Sequence, residues 1–140
     1  MDIKDCLRGG YLVKEIPSKD LIEKELRESK YDLKRVKRAF GDKDFKGAIT
    51  NSYYSMFHSA KAVCFSLGYR EKKHFALVVI LTELNKRGKL ESRFINDFKA
   101  AISAREDADY HYFYSKERAE EILKIAEGFN KRMKDILERI

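Results

Sequence analysis

Proline occurs once in this chain of 140 residues, at Pro17, and tryptophan not at all. So few breakers in a chain rich in Leu, Ala, Glu, Lys and Arg argue for helices. Cysteine is scarce too. Cys6 and Cys64 form no CxxC pair, which excludes a disulfide framework and argues against a thiolate metal site. Cys64 lies in an apolar stretch and reads as a small core residue. No apolar run approaches the roughly 18 residues of a membrane helix. Asp2, Lys4 and Asp5 near the start, with no long apolar segment behind them, exclude a signal peptide. The cytoplasm is therefore the default compartment. There is no glycine-rich phosphate loop, HExxH or Ser-His-Asp pattern, and the few histidines are scattered, so neither a metal site nor a cofactor is expected.

What is present suits one domain over residues 1–140. Apolar residues make up 44%, enough for a core, and charged residues 38%, which fits long solvated helix faces. The formal net charge is +7, carried in part by Lys30, Lys34, Arg35, Lys37 and Arg38 and by Lys86, Arg87 and Lys89. Such an excess favours an RNA, DNA or nucleotide partner. It is also what solubilising helix faces and ion-pair-rich surfaces carry.

Residues 1–17 are a short segment whose attachment to the rest is expected to be loose: Gly9 and Gly10 interrupt Ile3, Leu7, Tyr11 and Leu12, and Pro17 ends it. Ser18 caps a helix over about 19–40 with Ile22, Leu26, Leu33, Val36 and Phe40 on one face, stopped by Gly41. Asp42 or Asp44 caps a second, about 44–67, apolar round much of its circumference and so central. A short loop over residues 69–73 leads to Phe75–Lys86, where β-branched residues would allow a buried strand. No second strand candidate exists to pair with it, and the following Thr-Glu-Leu-Asn continues a helical pattern, so a helix is expected. Ser92 is the expected cap of the next helix. The pattern breaks over Arg105–Tyr114, and Ser115 caps a final helix. The expectation is an all-α, up-and-down bundle of four to five helices.

Three constellations could carry chemistry. Tyr54 and His58 lie four apart on the central helix and could hold a base or phosphate; they could equally pack their apolar bodies and bond locally. His74, after Lys73, opens a helix, where an anion can bind; a structural hydrogen bond is the alternative. The third runs from Arg105 through Asp109, Tyr110, His111 and Tyr112 to Tyr114. A histidine and an arginine brought together could cleave RNA without metal. The imidazole would take the proton of a ribose 2′-hydroxyl or give one to the leaving oxygen. The guanidinium would stabilise charge on the phosphorane. Tyrosines could stack bases. In the structural alternative, Arg105 pairs with Asp107 or Asp109 and the tyrosines pack a helix junction.

Together, Ala48–Ala60 with its Tyr53-Tyr54-Ser-Met-Phe57-His58 core, Lys73-His74, and Arg105 followed by Ala108-Asp109-Tyr110 resemble the HEPN family. The likeness is to its small stand-alone prokaryotic subfamily and covers residues 18–135 or so. It implies a HEPN-like helical bundle that often forms a homodimer. It also implies, in many members, a metal-independent RNase or toxin with an arginine and a histidine separated by four to six residues, in a cleft between protomers. Other members accompany a small MNT-type nucleotidyltransferase as toxin and antitoxin, or serve as accessory modules. Carried over, Arg105 and His111 are the catalytic pair. Tyr54, His58, His74, Asp109, Tyr110 and Tyr112 are substrate-binding candidates. Glu106 stands where RNase members often carry an uncharged polar residue, and the better-known toxin spacing would put the histidine at Tyr110. A non-catalytic module that binds a nucleotide, RNA or the nucleotidyltransferase partner is therefore the alternative. A third reading is an interaction protein with Phe129, Met133 and Ile136 as a seam.

Overall fold

The computed structural model describes residues 1–139. Six helices follow in order: α1 (Ile3–Gly9), α2 (Lys19–Gly41), α3 (Phe45–Ser66), α4 (Phe75–Lys86), α5 (Ser92–Tyr110) and α6 (Lys116–Glu138). The all-α bundle is present, with short α1 added to the four to five helices expected. Two strands also form, β1 (Leu12–Lys14) and β2 (Tyr69–Glu71), against the expectation of none. They pair antiparallel, Leu12 opposite Glu71 and Lys14 opposite Tyr69. Strands of three residues are too short for a period-two pattern to stand out.

Local chemistry sets the boundaries. Ser18, Asp44 and Ser115 each accept a backbone N–H of the first turn, at Leu21, Gly47 and Arg118. Ser92 does not cap α5. Glu91 holds the cap position without a side-chain bond, and the Ser92 hydroxyl accepts from Asn85 Nδ2 at 3.1 Å instead. Gly10 (φ 76°) and Gly68 (φ 93°) turn the chain into β1 and β2 through the left-handed region that glycine enters without strain.

The ladder ties the N-terminal segment to the bundle. Cys6 and Leu12 are buried, Glu15 N–H donates to Gly68 O at 2.9 Å, and Arg70 pairs with Glu15 at 2.7 Å. Helix α3 is the centre: α2, α4, α5, α6 and β2 all pack on it. Its apolar side chains, Ile49, Tyr53, Met56, Phe57, Val63 and Phe65 among them, are buried. Phe129, Met133 and Ile136 of α6 are buried as well, so they form core and not a seam.

Two polar groups interrupt the apolar packing on the α2 side. Ser29 and Ser55 exchange hydroxyl-to-carbonyl bonds at 2.8 Å. Asn130 Nδ2 donates to Ser55 Oγ, also at 2.8 Å. Nearby, His58 Nδ1 meets Glu25 Oε2 at 2.7 Å, and Lys61 bridges Glu25 and Glu71 at 3.5 and 3.4 Å. Such paired groups fix one register of α2 on α3. Burial by itself raises the Glu25 carboxyl, but its bonds from His58 and Lys61 outweigh that and hold it below the usual range.

Phe98 of α5 is fully buried, stacks on Phe129 at 5.4 Å and lies 6.1 Å from Tyr53. Phe98→Ala should therefore destabilise the domain by about 3–5 kcal/mol, read as a lowered urea midpoint with the m-value unchanged.

Candidate functional site

Helix α5 runs unbroken through Arg105 to Tyr110, beyond the point where the pattern was expected to fail. The break comes at His111, the C-cap, followed by Tyr112 in the left-handed region at φ 53°. The N–H groups of His111 and Phe113 both donate to Asp107 O at 3.0 Å and hold this turn. The last turns of the helix were hard to follow because Arg105, Glu106, Asp107, Asp109 and Tyr110 interrupt the apolar period while the small Ala104 and Ala108 alone mark the buried face there.

Two groupings emerge on α5. In the first, the Arg105 guanidinium lies 5.3 Å from the Tyr53 ring centre and 5.6 Å from that of Tyr54. Its Nε donates to Asp109 Oδ2 at 3.3 Å, so Asp109 and not Asp107 is its partner. Both contacts suit a guanidinium, which pairs with a carboxylate and lies over aromatic faces. The Tyr53 hydroxyl in turn shares a hydrogen bond with His74 Nδ1 at 2.8 Å, and the His74 ring lies over Phe57 at 4.3 Å. The phenol is protonated throughout the physiological range: burial pushes it to about 12, with Arg105 pulling the other way. Desolvation of the His74 ring lowers its pKa, with Arg105 acting in the same direction and Glu71 against it. His74 thus uses its ring on Tyr53; it is the N-cap of α4 but makes no capping bond.

In the second grouping, His111 Nδ1 lies 3.3 Å from Asp107 Oδ1, and Arg118 of α6 reaches Asp107 Oδ2, also at 3.3 Å. The His111 side chain is 71% exposed, which leaves Nε2 open to an incoming group. Around it stand the exposed rings of Tyr110, Tyr112, Phe113 and Tyr114. Lys46 lies 5.9 Å over Tyr112, and Arg118 lies 5.4 Å over Phe113.

The structure brings Tyr54, His74, Arg105 and Asp109 together. It places His111, Tyr110 and Tyr112 on the neighbouring turn. His58 belongs to neither grouping. It faces Glu25 and Asp32 of α2, the latter at 3.6 Å, and two carboxylates make a poor setting for a phosphate. Within one chain Arg105 and His111 share no contact. Six residues apart on a helix, they point about 120° away from each other. Tyr53, read from sequence as core, is the residue that links Arg105 to His74. Asp107, Lys46 and Arg118 were also missed as site residues. The signal for Asp107 was its spacing of four from His111, the same spacing that joins Arg105 to Asp109.

Comparison with known proteins decides the family. The model of the HEPN domain matches residues 22–136. The chain belongs to the HEPN family. Similar HEPN-length proteins come from two archaea. One, from Archaeoglobus fulgidus and named "UPF0332 protein", is 27% identical over 122 residues, covering 86% of this chain and 98% of the relative. The other, from Methanocaldococcus jannaschii and named as a putative toxin, is 30% identical over 133 residues, covering 87% of this chain and 98% of the relative. The HEPN match takes in both groupings on α5 and the α3 aromatics they rest on. Among the described residues no group of His, Cys, Asp and Glu could hold a metal ion, and no helix is long and apolar enough to cross a membrane.

The lowered His74 pKa has a consequence for stability. The unfolded chain takes up this proton near the ordinary histidine value of 6.5, before the folded chain does. The stabilisation is therefore complete above 6.5 and is lost as pH falls through the window below it. The ring is partly exposed, so the effect is small. In urea titrations the wild type should lose stability just below pH 6.5, and His74→Gln should show a flatter dependence there. Equal slopes would refute the assignment of a suppressed charge at His74.

Proposed function

We propose that this chain is a homodimeric, metal-independent HEPN ribonuclease acting as the toxin of a toxin–antitoxin pair. The supporting observation is His111, an exposed imidazole held by Asp107 at the end of α5 beside a cluster of exposed aromatic rings and cations. A carboxylate on one ring nitrogen orients the other toward a substrate, which is the arrangement a general base or acid needs. Arg105 supplies the charge-stabilising group. Because the two residues diverge within a chain, the working pair is formed by Arg105 of one protomer and His111 of its partner. Exposed Tyr110 and Tyr112 then flank the cleft and stack bases, while Tyr54, His74 and Asp109 hold Arg105 in place. The related protein named as a putative toxin is consistent with this reading. An antitoxin of the MNT nucleotidyltransferase type is the partner proposed to restrain it in the cytoplasm.

One observation favours the second reading. Arg105 is already engaged by Asp109 and by two aromatic faces. Such a residue could be an anchor in a module that binds a nucleotide, RNA or the nucleotidyltransferase without cutting.

The test is cleavage of varied RNAs in excess EDTA, with product ends analysed. Wild type should leave 2′,3′-cyclic phosphates. Arg105→Ala and His111→Ala should each lower the rate by about 100-fold or more, with helicity unchanged. Full activity in both variants would rule out the catalytic pair; binding without cleavage by the wild type would favour the second reading.

A further inference from the structure

Away from Arg105, a groove of about 490 Å³ lies between α5 and α6, lined around Gly128 by Arg93, Lys124, Lys131 and Arg132 and by the carboxylates of Asp97 and Asp135. Gly128 is its most informative member. It sits in the middle of α6 with an ordinary helical backbone, and a Cβ built there meets nothing within 4 Å. Neither turn geometry nor close packing calls for glycine at that position, and glycine weakens a helix interior relative to alanine. Its effect is to keep the groove open between Lys124 and Lys131, which flank it on the same face of α6. The lining carries four cations against two carboxylates, so the groove favours an anion. Arg132 is already engaged by Glu91 at 3.0 Å and by Lys89 O at 2.9 Å, and Arg93 lies 4.4 Å over the Phe94 ring, which leaves Lys124 and Lys131 as the groove cations without a partner among the described residues.

The groove is in line with His111. The two helices run antiparallel: Asp107 pairs with Arg118 at one end and Glu91 with Arg132 at the other. On α5, residues 93, 97, 100, 104, 107 and 111 fall on one stripe at helical spacing, so Arg93, Asp97, Asp107 and His111 border the same α5–α6 seam. Between the charged ends that stripe carries only Ala100 and Ala104. From Asp97 to His111 the axial distance is about 21 Å.

We propose that this groove is an exosite for the phosphodiester backbone of a single RNA strand, whose scissile end lies at His111. The inference rests on the ribonuclease reading and adds the length and path of the substrate to it. Lys124 and Lys131 contact phosphates, Gly128 gives the backbone room, and the strand runs on to His111 over the outside of the seam, which is closed at the fully buried Ala104.

The experiment uses the full chain with two RNAs: a fluorescent oligouridylate long enough to span the seam, and a dinucleotide confined to the cleavage site. Gly128→Glu places a carboxylate in the groove and should weaken oligouridylate binding by about tenfold. The Lys124→Ala/Lys131→Ala variant should lower the salt slope of that binding by about 1.4. Neither variant should alter dinucleotide turnover. Gly128→Ala, which leaves the groove cationic and should raise the melting temperature, controls for folding. Wild-type affinity and slope in both groove variants, with the oligouridylate still bound and cut, would overturn the exosite and leave the ribonuclease reading intact. Failure of the wild type to bind or cut either RNA would overturn both.

Discussion

Helix α3 is apolar round much of its circumference, and the domain is the set of elements that cover it. Its Tyr53, Met56, Phe57 and Val63 have almost no exposed surface, and α2, α4, α5, α6 and β2 share the task of burying them. This constraint also fixes the site. Tyr53 and Tyr54 are adjacent, and one ring is buried while the other stays partly exposed. A cation on α5 at that level finds two aromatic faces at once, and Arg105 occupies the position. Phe98 and Phe129 continue the aromatic contact into α6, so the arginine is seated on the same packed layer that stabilises the fold.

The end of α5 follows a different logic. Arg105 is held by neighbours on three sides, whereas His111 has only Asp107 and open solvent. One residue is positioned by the fold, and the other is presented by a turn in which Tyr112 takes a left-handed backbone without being glycine. Keeping so many aromatic rings in water at this turn is unfavourable for an isolated chain. A partner surface or a nucleic acid that covers them would recover that cost.

The helices were legible in sequence because their apolar periods are long. Ser18, Asp44 and Ser115 could be read as caps because short polar side chains before an apolar run have a specific use. The small sheet was not legible, since three residues per strand carry too little pattern and the pairing of residues 12 and 71 is set by tertiary contact. The cap of α5 was misread because a serine at the right place accepts from Asn85 of α4 instead of capping its own helix. In the site, the residue types of α5 could be named, but their directions depended on the helix continuing to Tyr110. Tyr53 was hidden for the opposite reason: a buried tyrosine on a core helix looks like packing, and only its hydroxyl contact with His74 shows a second role. Gly128 gave a signal that could have been used, since an isolated glycine in a strongly helical segment asks for a reason.

The account depends on Arg105 and His111 working across two protomers, and subunit mixing tests that most directly. Arg105→Ala and His111→Ala proteins, each inactive alone, are unfolded together and refolded as mixed dimers. Random pairing makes about half of the dimers mixed, each with one of its two sites intact, so the mixture should recover about a quarter of wild-type RNA cleavage. If mixed dimers form and remain inactive, the two residues act within one chain or not at all, and the shared cleft is contradicted.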